Sequence, residues 1–95
     1  MALAFLIEIP MMDDDQAAAV LRELGLSSTP PAGQILHVEG PMDGGGMRVV
    51  DVWESQEVFQ TFLQEQLGPA FQRAGVQMPA DFQPKAVWPV TAILK

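Results

Sequence analysis

The sequence predicts an α+β domain of order β-α-β-β-α-β, and three observations carry that prediction. Short runs rich in β-branched and aromatic residues alternate with stretches whose apolar residues recur at helical spacing. Each helical stretch opens on a capping residue, Asp13 or Ser55. A glycine-rich segment, Asp43-Gly44-Gly45-Gly46, separates the two central strand-like runs, as a hairpin requires.

The elements follow in order. Residues 2–9 (ALAFLIEI) read as a strand stopped by Pro10. Asp13, with Gln16 three residues on, forms a capping-box pattern, and Ala17, Val20, Leu21 and Leu24 continue at helical spacing. Gly25 suits the position after the helix end, which places helix one at about 14–24. Residues 27–33 carry two prolines and form a loop. Residues 34–39 (QILHVE) are the second strand, 40–46 a turn and 47–53 the third strand. Ser55 caps a second helix in which Val58, Phe59, Phe62, Leu63 and Leu67 make one apolar stripe. Pro69 lacks a donor and restricts Gly68, so a kink or break is expected before the last turns end at Gly75. Residues 76–84 form a proline-punctuated loop, and 85–94 (KAVWPVTAIL) the last strand, placed at a sheet edge by Pro89.

The two halves echo each other, each running strand, cap, helix and then Leu-Gly (Leu24-Gly25, Leu67-Gly68). This is the split β-α-β pattern of a ferredoxin-like fold, a four-stranded antiparallel sheet with both helices on one face. Strand one is apolar on both parities, Leu3, Phe5, Ile7 and Ile9 against Ala2, Ala4 and Leu6, yet the helices cover only one face. An uncovered apolar sheet is a large exposed patch, so a homodimer packing through the open sheet face is expected.

Ninety-five residues make a single domain spanning 1–95. With no cysteine, disulfides and thiolate metal sites are excluded. A formal charge of −7 with only five Lys and Arg argues against nucleic acid and against an anionic membrane surface as partners. The apolar first twelve residues have no basic flank, contain Glu8 and lead into an acidic helix start, so they read as a buried strand rather than a signal peptide. No run is long enough to span a bilayer, and a cytoplasmic location is the expectation.

The most specific stretch is Val52-Trp53-Glu54-Ser55 followed by Val58-Phe59 and Phe62, with His37-Val38-Glu39-Gly40-Pro41 upstream. In these residues and in its element order, the chain resembles the dimeric α/β-barrel superfamily on its antibiotic-biosynthesis monooxygenase-like side, including a group of small bacterial proteins. In that family a Trp-Glu-Ser junction after the third strand opens the second helix. The resemblance implies a homodimer related to cofactor-free monooxygenases or cyclases that act on a hydrophobic or aromatic metabolite. Of the family's site residues, Trp53 alone carries over. Haem-degrading relatives have a histidine ligand on helix two and an amide on strand one. Here residues 57–75 lack histidine and strand one lacks Asn and Gln, so neither haem nor another cofactor is expected.

Five residues are candidates for a site. Trp53 either walls a pocket, stacking on a planar substrate or donating its N–H, or is a core aromatic at a strand end. His37, the single histidine, is a candidate general base with a structural alternative as a satisfied strand histidine. Asp51 is an acid in an apolar strand, whose burial implies a raised pKa or a partner. Phe59 and Phe62 belong mainly to the core, with some of their stripe lining a cavity between helix two and the sheet. Asp13-Asp14-Asp15 is explained by capping and the helix dipole, and no metal site is expected. If Gly40 lies opposite Met47, Glu39 pairs with Arg48 and His37 lies on the face opposite Trp53; a one-residue shift reverses this. The few polar residues available to a cavity keep a second reading open, a non-catalytic small-ligand-binding or structural dimer.

Overall fold

The predicted order of elements is the observed one. In a computed structural model describing residues 1–25, 30–79 and 82–94, the chain runs β1 (Leu3–Ile9), α1 (Asp14–Leu24), β2 (Gln34–Pro41), β3 (Met47–Trp53) and α2 (Gln56–Phe62). A π-helical turn (Leu63–Leu67), α3 (Gly68–Ala74) and β4 (Ala86–Pro89) complete it. Parts of both predicted long loops, 26–29 and 80–81, lie outside the described residues. The strands form one antiparallel sheet in the order β2-β3-β1-β4. Phe5, Ile7 and Ile9 of β1 and Met47, Val49 and Trp53 of β3 share the helix-facing side and build the core with Val20, Phe59, Phe62 and Phe71.

Both helix starts form as their side chains dictate. Asp13 Oδ1 accepts from the Gln16 N–H at 2.8 Å, and Gln16 Oε1 accepts from the Asp13 N–H at 3.0 Å. Ser55 Oγ accepts from the Val58 N–H at 3.2 Å. Of the kink or break expected at Pro69, a break does not occur. The preceding turn widens instead, and the Gly68 N–H donates to the carbonyl of Leu63, five residues back. Widening by one residue accommodates the proline ring, which in an α-helix meets the carbonyl four residues before it. The Leu-Gly echo therefore fails in conformation: Gly25 is a left-handed cap at φ 74°, whereas Gly68 is helical at φ −56°. The cap that ends the second half is Gly75, at φ 72°.

Strand four is shorter than predicted. Leu3, at the start of β1, lies opposite Pro89, so β1 supplies no further partner beyond the Val90 N–H, which donates to the Ala2 carbonyl at 2.9 Å.

The hairpin decides which side chains meet. Pro41, not Gly40, lies opposite Met47, and the loop is Met42 to Gly46, closed by the Met42 N–H donating to the Gly46 carbonyl at 2.9 Å. Gly46 adopts φ 95°, and a Cβ there would stand 2.8 Å from Met42 Cε and 3.1 Å from the Ile9 carbonyl oxygen. Only glycine fits so close to the end of β1. The one-residue difference turns His37 and Glu39 to the helix-facing side. The expected Glu39–Arg48 pair is consequently replaced: Arg48 lies across from Glu8 on the open face, donating from Nε and Nη2 to Glu8 Oε2 at 3.1 and 2.9 Å. At its far end the β2 pairing slips between Gln34 and Leu36, which ends the regular ladder.

The open face carries Ala4, Leu6, Leu36, Val38, Val50, Val52 and Trp88. Val38 is 54% and Trp88 43% exposed, so part of this apolar surface is free to water in the monomer.

Candidate functional site

Two pairs of residues meet beneath the helices. His37 and Glu39 alternate along β2, Asp51 and Trp53 along β3, and the register sets His37 directly opposite Asp51. Asp51 Oδ1 lies 2.6 Å from His37 Nδ1, and Glu39 Oε1 lies 2.6 Å from His37 Nε2. Trp53 Nε1–H donates to the other Asp51 oxygen, Oδ2, at 3.3 Å. The result is a chain of four side chains: indole, carboxylate, imidazole, carboxylate. Burial falls along it, from Trp53 and Asp51 in the interior to a His37 side chain that is 30% exposed.

Charge follows from this geometry. The hydrogen bond to Asp51, and then that to Glu39, raise the His37 pKa from 6.5 to about 9 against the opposing effect of burial. At neutral pH the ring is an imidazolium with an N–H on each nitrogen, one directed at each carboxylate. The raised pKa runs against the expected role of His37 as a general base. The carboxylates sit on opposite edges of the ring and do not converge on a common point. Among the described residues, none cluster in a way that could hold a metal ion.

This polar wall closes one side of a cavity of about 390 Å³ between sheet and helices. Val20 and Leu21 of α1 line it, as do Phe62, Leu67 and Phe71 from the second helical stretch. His37, Glu39 and Asp51 all reach it, and its described lining contains neither Lys nor Arg. A neutral apolar molecule with one polar end matches such a space; an anionic one finds no cation that is not already engaged.

The five predicted residues separate. His37 and Asp51 come together on the cavity wall, and Phe62 lines it. Phe59 does not; it stacks on Phe5 with ring centroids 4.4 Å apart and is core. Trp53 is fully buried against Phe59 and Phe62 and is absent from the lining; of its two readings, pocket wall or core aromatic at a strand end, its placement matches the second. Its contribution is to hold Asp51. Glu39 was missed as a site residue because it was assigned to Arg48. The available signal was its two-residue spacing from His37, which puts both on one face in any register.

The chain matches no protein-family model and no curated protein. Among solved structures it is similar to a "putative antibiotic biosynthesis monooxygenase" from Chloroflexus aurantiacus J-10-fl. The TM-score is 0.62 at 14% identity, over 98% of this chain and 97% of that one. That likeness covers the whole domain and shows that the two share a fold, the one the Trp-Glu-Ser junction led us to expect.

Proposed function

We propose that this protein is an enzyme resembling cofactor-free monooxygenases and cyclases, acting on a neutral hydrophobic metabolite by proton chemistry at the His37 wall of the cavity. The observation that carries the reading is the His37–Asp51 pair, with Glu39 beside it, facing a mostly apolar space. Ionisable groups that perturb one another in a cleft are a recurring mark of functional sites, and that supports this reading. In this reading the apolar walls bind and orient the substrate. The His37 imidazolium stabilises negative charge developing on a substrate oxygen, and Asp51, held by Trp53, keeps the ring oriented. Loss of a substrate C–H proton to a carboxylate of this wall gives a carbanion or enolate, which is oxidised by dioxygen in the monooxygenase case, one oxygen atom entering the product and the other leaving as water, or attacks an internal electrophile in the cyclase case.

The test is deuterium exchange of a neutral carbonyl probe, 2-tetralone, followed by NMR in heavy water alongside a binding titration. The wild type is expected to bind the probe and accelerate exchange of its acidic C–H, and His37→Gln to bind but not accelerate. Leu21→Trp, which fills the cavity, should do neither. Binding without exchange in the wild type favours the second reading, a non-catalytic ligand-binding module. That alternative draws on one feature of the site: both His37 N–H groups are already satisfied within the protein.

The same reading includes the assembly. A second copy of this chain covers the open sheet face, giving a homodimer in which Val38 and Trp88 become buried.

A further inference from the structure

We propose that Glu39 is the proton acceptor of this site, and that its substrate is a neutral, lipophilic carbonyl compound with an acidic C–H beside the carbonyl. This rests on the reading of the cavity as catalytic and assigns the base to a carboxylate, because both ring nitrogens of His37 are already engaged.

The two carboxylates differ in what they have free. Asp51 has both oxygens engaged, Oδ1 with His37 and Oδ2 with Trp53, and only 6% of the residue is exposed. Glu39 uses Oε1 for His37 Nε2; among the described residues Oε2 takes no hydrogen bond. Its side chain lines the cavity and is 26% exposed. Glu39 is therefore the carboxylate with a lone pair to offer to a molecule in the cavity, and its link to the imidazolium fixes where that lone pair sits.

The substrate class follows from the walls. The described lining has no Lys or Arg, and its single cation is held between two acids, so carboxylate and phosphate substrates are selected against. A neutral molecule leaves its charge to be created during the reaction, where the site can respond to it.

The step balances without an oxidant. The substrate C–H proton passes to Glu39 Oε2, and the C–H electron pair moves into a carbon–carbon double bond while the carbonyl π pair becomes the enolate oxygen's charge. Once protonated, Glu39 is a weaker acceptor, and His37 Nε2–H turns from Oε1 to the enolate oxygen. Base and stabiliser are thus coupled: the imidazolium becomes available as negative charge appears, an interaction stronger in the transition state than in the ground state. Glu39 then returns the proton to another carbon, completing an isomerisation, or trades it with water before returning one to the same carbon, completing an exchange.

The test uses 5-nitrobenzisoxazole, a neutral planar carbon acid. Loss of its ring C–H proton to a base breaks the N–O bond and gives a coloured nitrophenoxide nitrile. The wild type is expected to accelerate this above free acetate, and Glu39→Gln to lower kcat by about 100-fold or more with KM little changed. Glu39→Asp, which keeps the charge but withdraws it from the cavity, should lose roughly tenfold and carries the test if the Gln variant does not fold. Wild-type rates in either variant, with the wild type active, overturn the assignment of Glu39 while leaving the catalytic cavity standing. No acceleration by the wild type overturns both.

Discussion

His37 titrates under the control of its two neighbours, and that is measurable one residue at a time. The hydrogen bond to Asp51 is the largest cause of its raised pKa, so Asp51→Asn is expected to bring the His37 titration down from about 9 toward 6.5, followed by NMR of the ring protons. Glu39→Gln should lower it less, because its contribution is the smaller of the two. The folded pKa lies above the unfolded one, so the pairing stabilises the protein fully below pH 6.5, and the gain is lost as pH rises through about 9. Linkage sets an upper bound of about 3 kcal/mol, less for a side chain partly open to solvent. Denaturant midpoints measured across that window should fall in the wild type and stay flatter in His37→Gln. Trp53→Phe removes the donor to Asp51 Oδ2 and should cost about 1–3 kcal/mol while shifting the His37 titration, a second effect that core packing alone does not produce. The residue types of this site were legible in the sequence: a lone histidine, an acid in an apolar strand and an indole two positions on all stood out. Their roles were not, since role depends on which atoms come within hydrogen-bonding distance.

At the scale of elements, parity within a strand was legible and register between strands was not. His37 with Glu39, and Asp51 with Trp53, share a face whatever the pairing, because side chains alternate with period two. Whether the two pairs share the same face turns on one residue in the hairpin, and five loop residues with three glycines permit more than one closure. Gly46 fixes the choice by its approach to the end of β1. Gly46→Ala is expected to destabilise the fold by about 1–3 kcal/mol in denaturant titration and to disturb the His37 resonances, since strain at φ 95° and the contact with the Ile9 carbonyl both act on the hairpin. The helix caps were read correctly because they are local, three residues apart. The π-helical turn was not: a proline announces that a helix must adjust, but not whether it breaks or widens, and here Phe62 and Phe71 on either side of the widened turn both belong to the core.

For the whole molecule, the open question of assembly is set by the uncovered sheet. If a second copy covers it, sedimentation at micromolar concentration should give a dimer, and Val38→Glu on the exposed face should return a folded monomer. A stable wild-type monomer removes the dimer proposal. The sequence by itself determined the order of elements, the caps, the sheet-facing parities and the fold class, because each depends on spacing along a few consecutive residues. The tertiary structure alone decided that Trp53 lies behind Asp51 rather than in the cavity, that Glu39 serves His37 rather than Arg48, and that the polar wall is one continuous chain. Those outcomes depend on the hairpin register and on helix packing across the sheet, where a shift of a single residue exchanges the two faces.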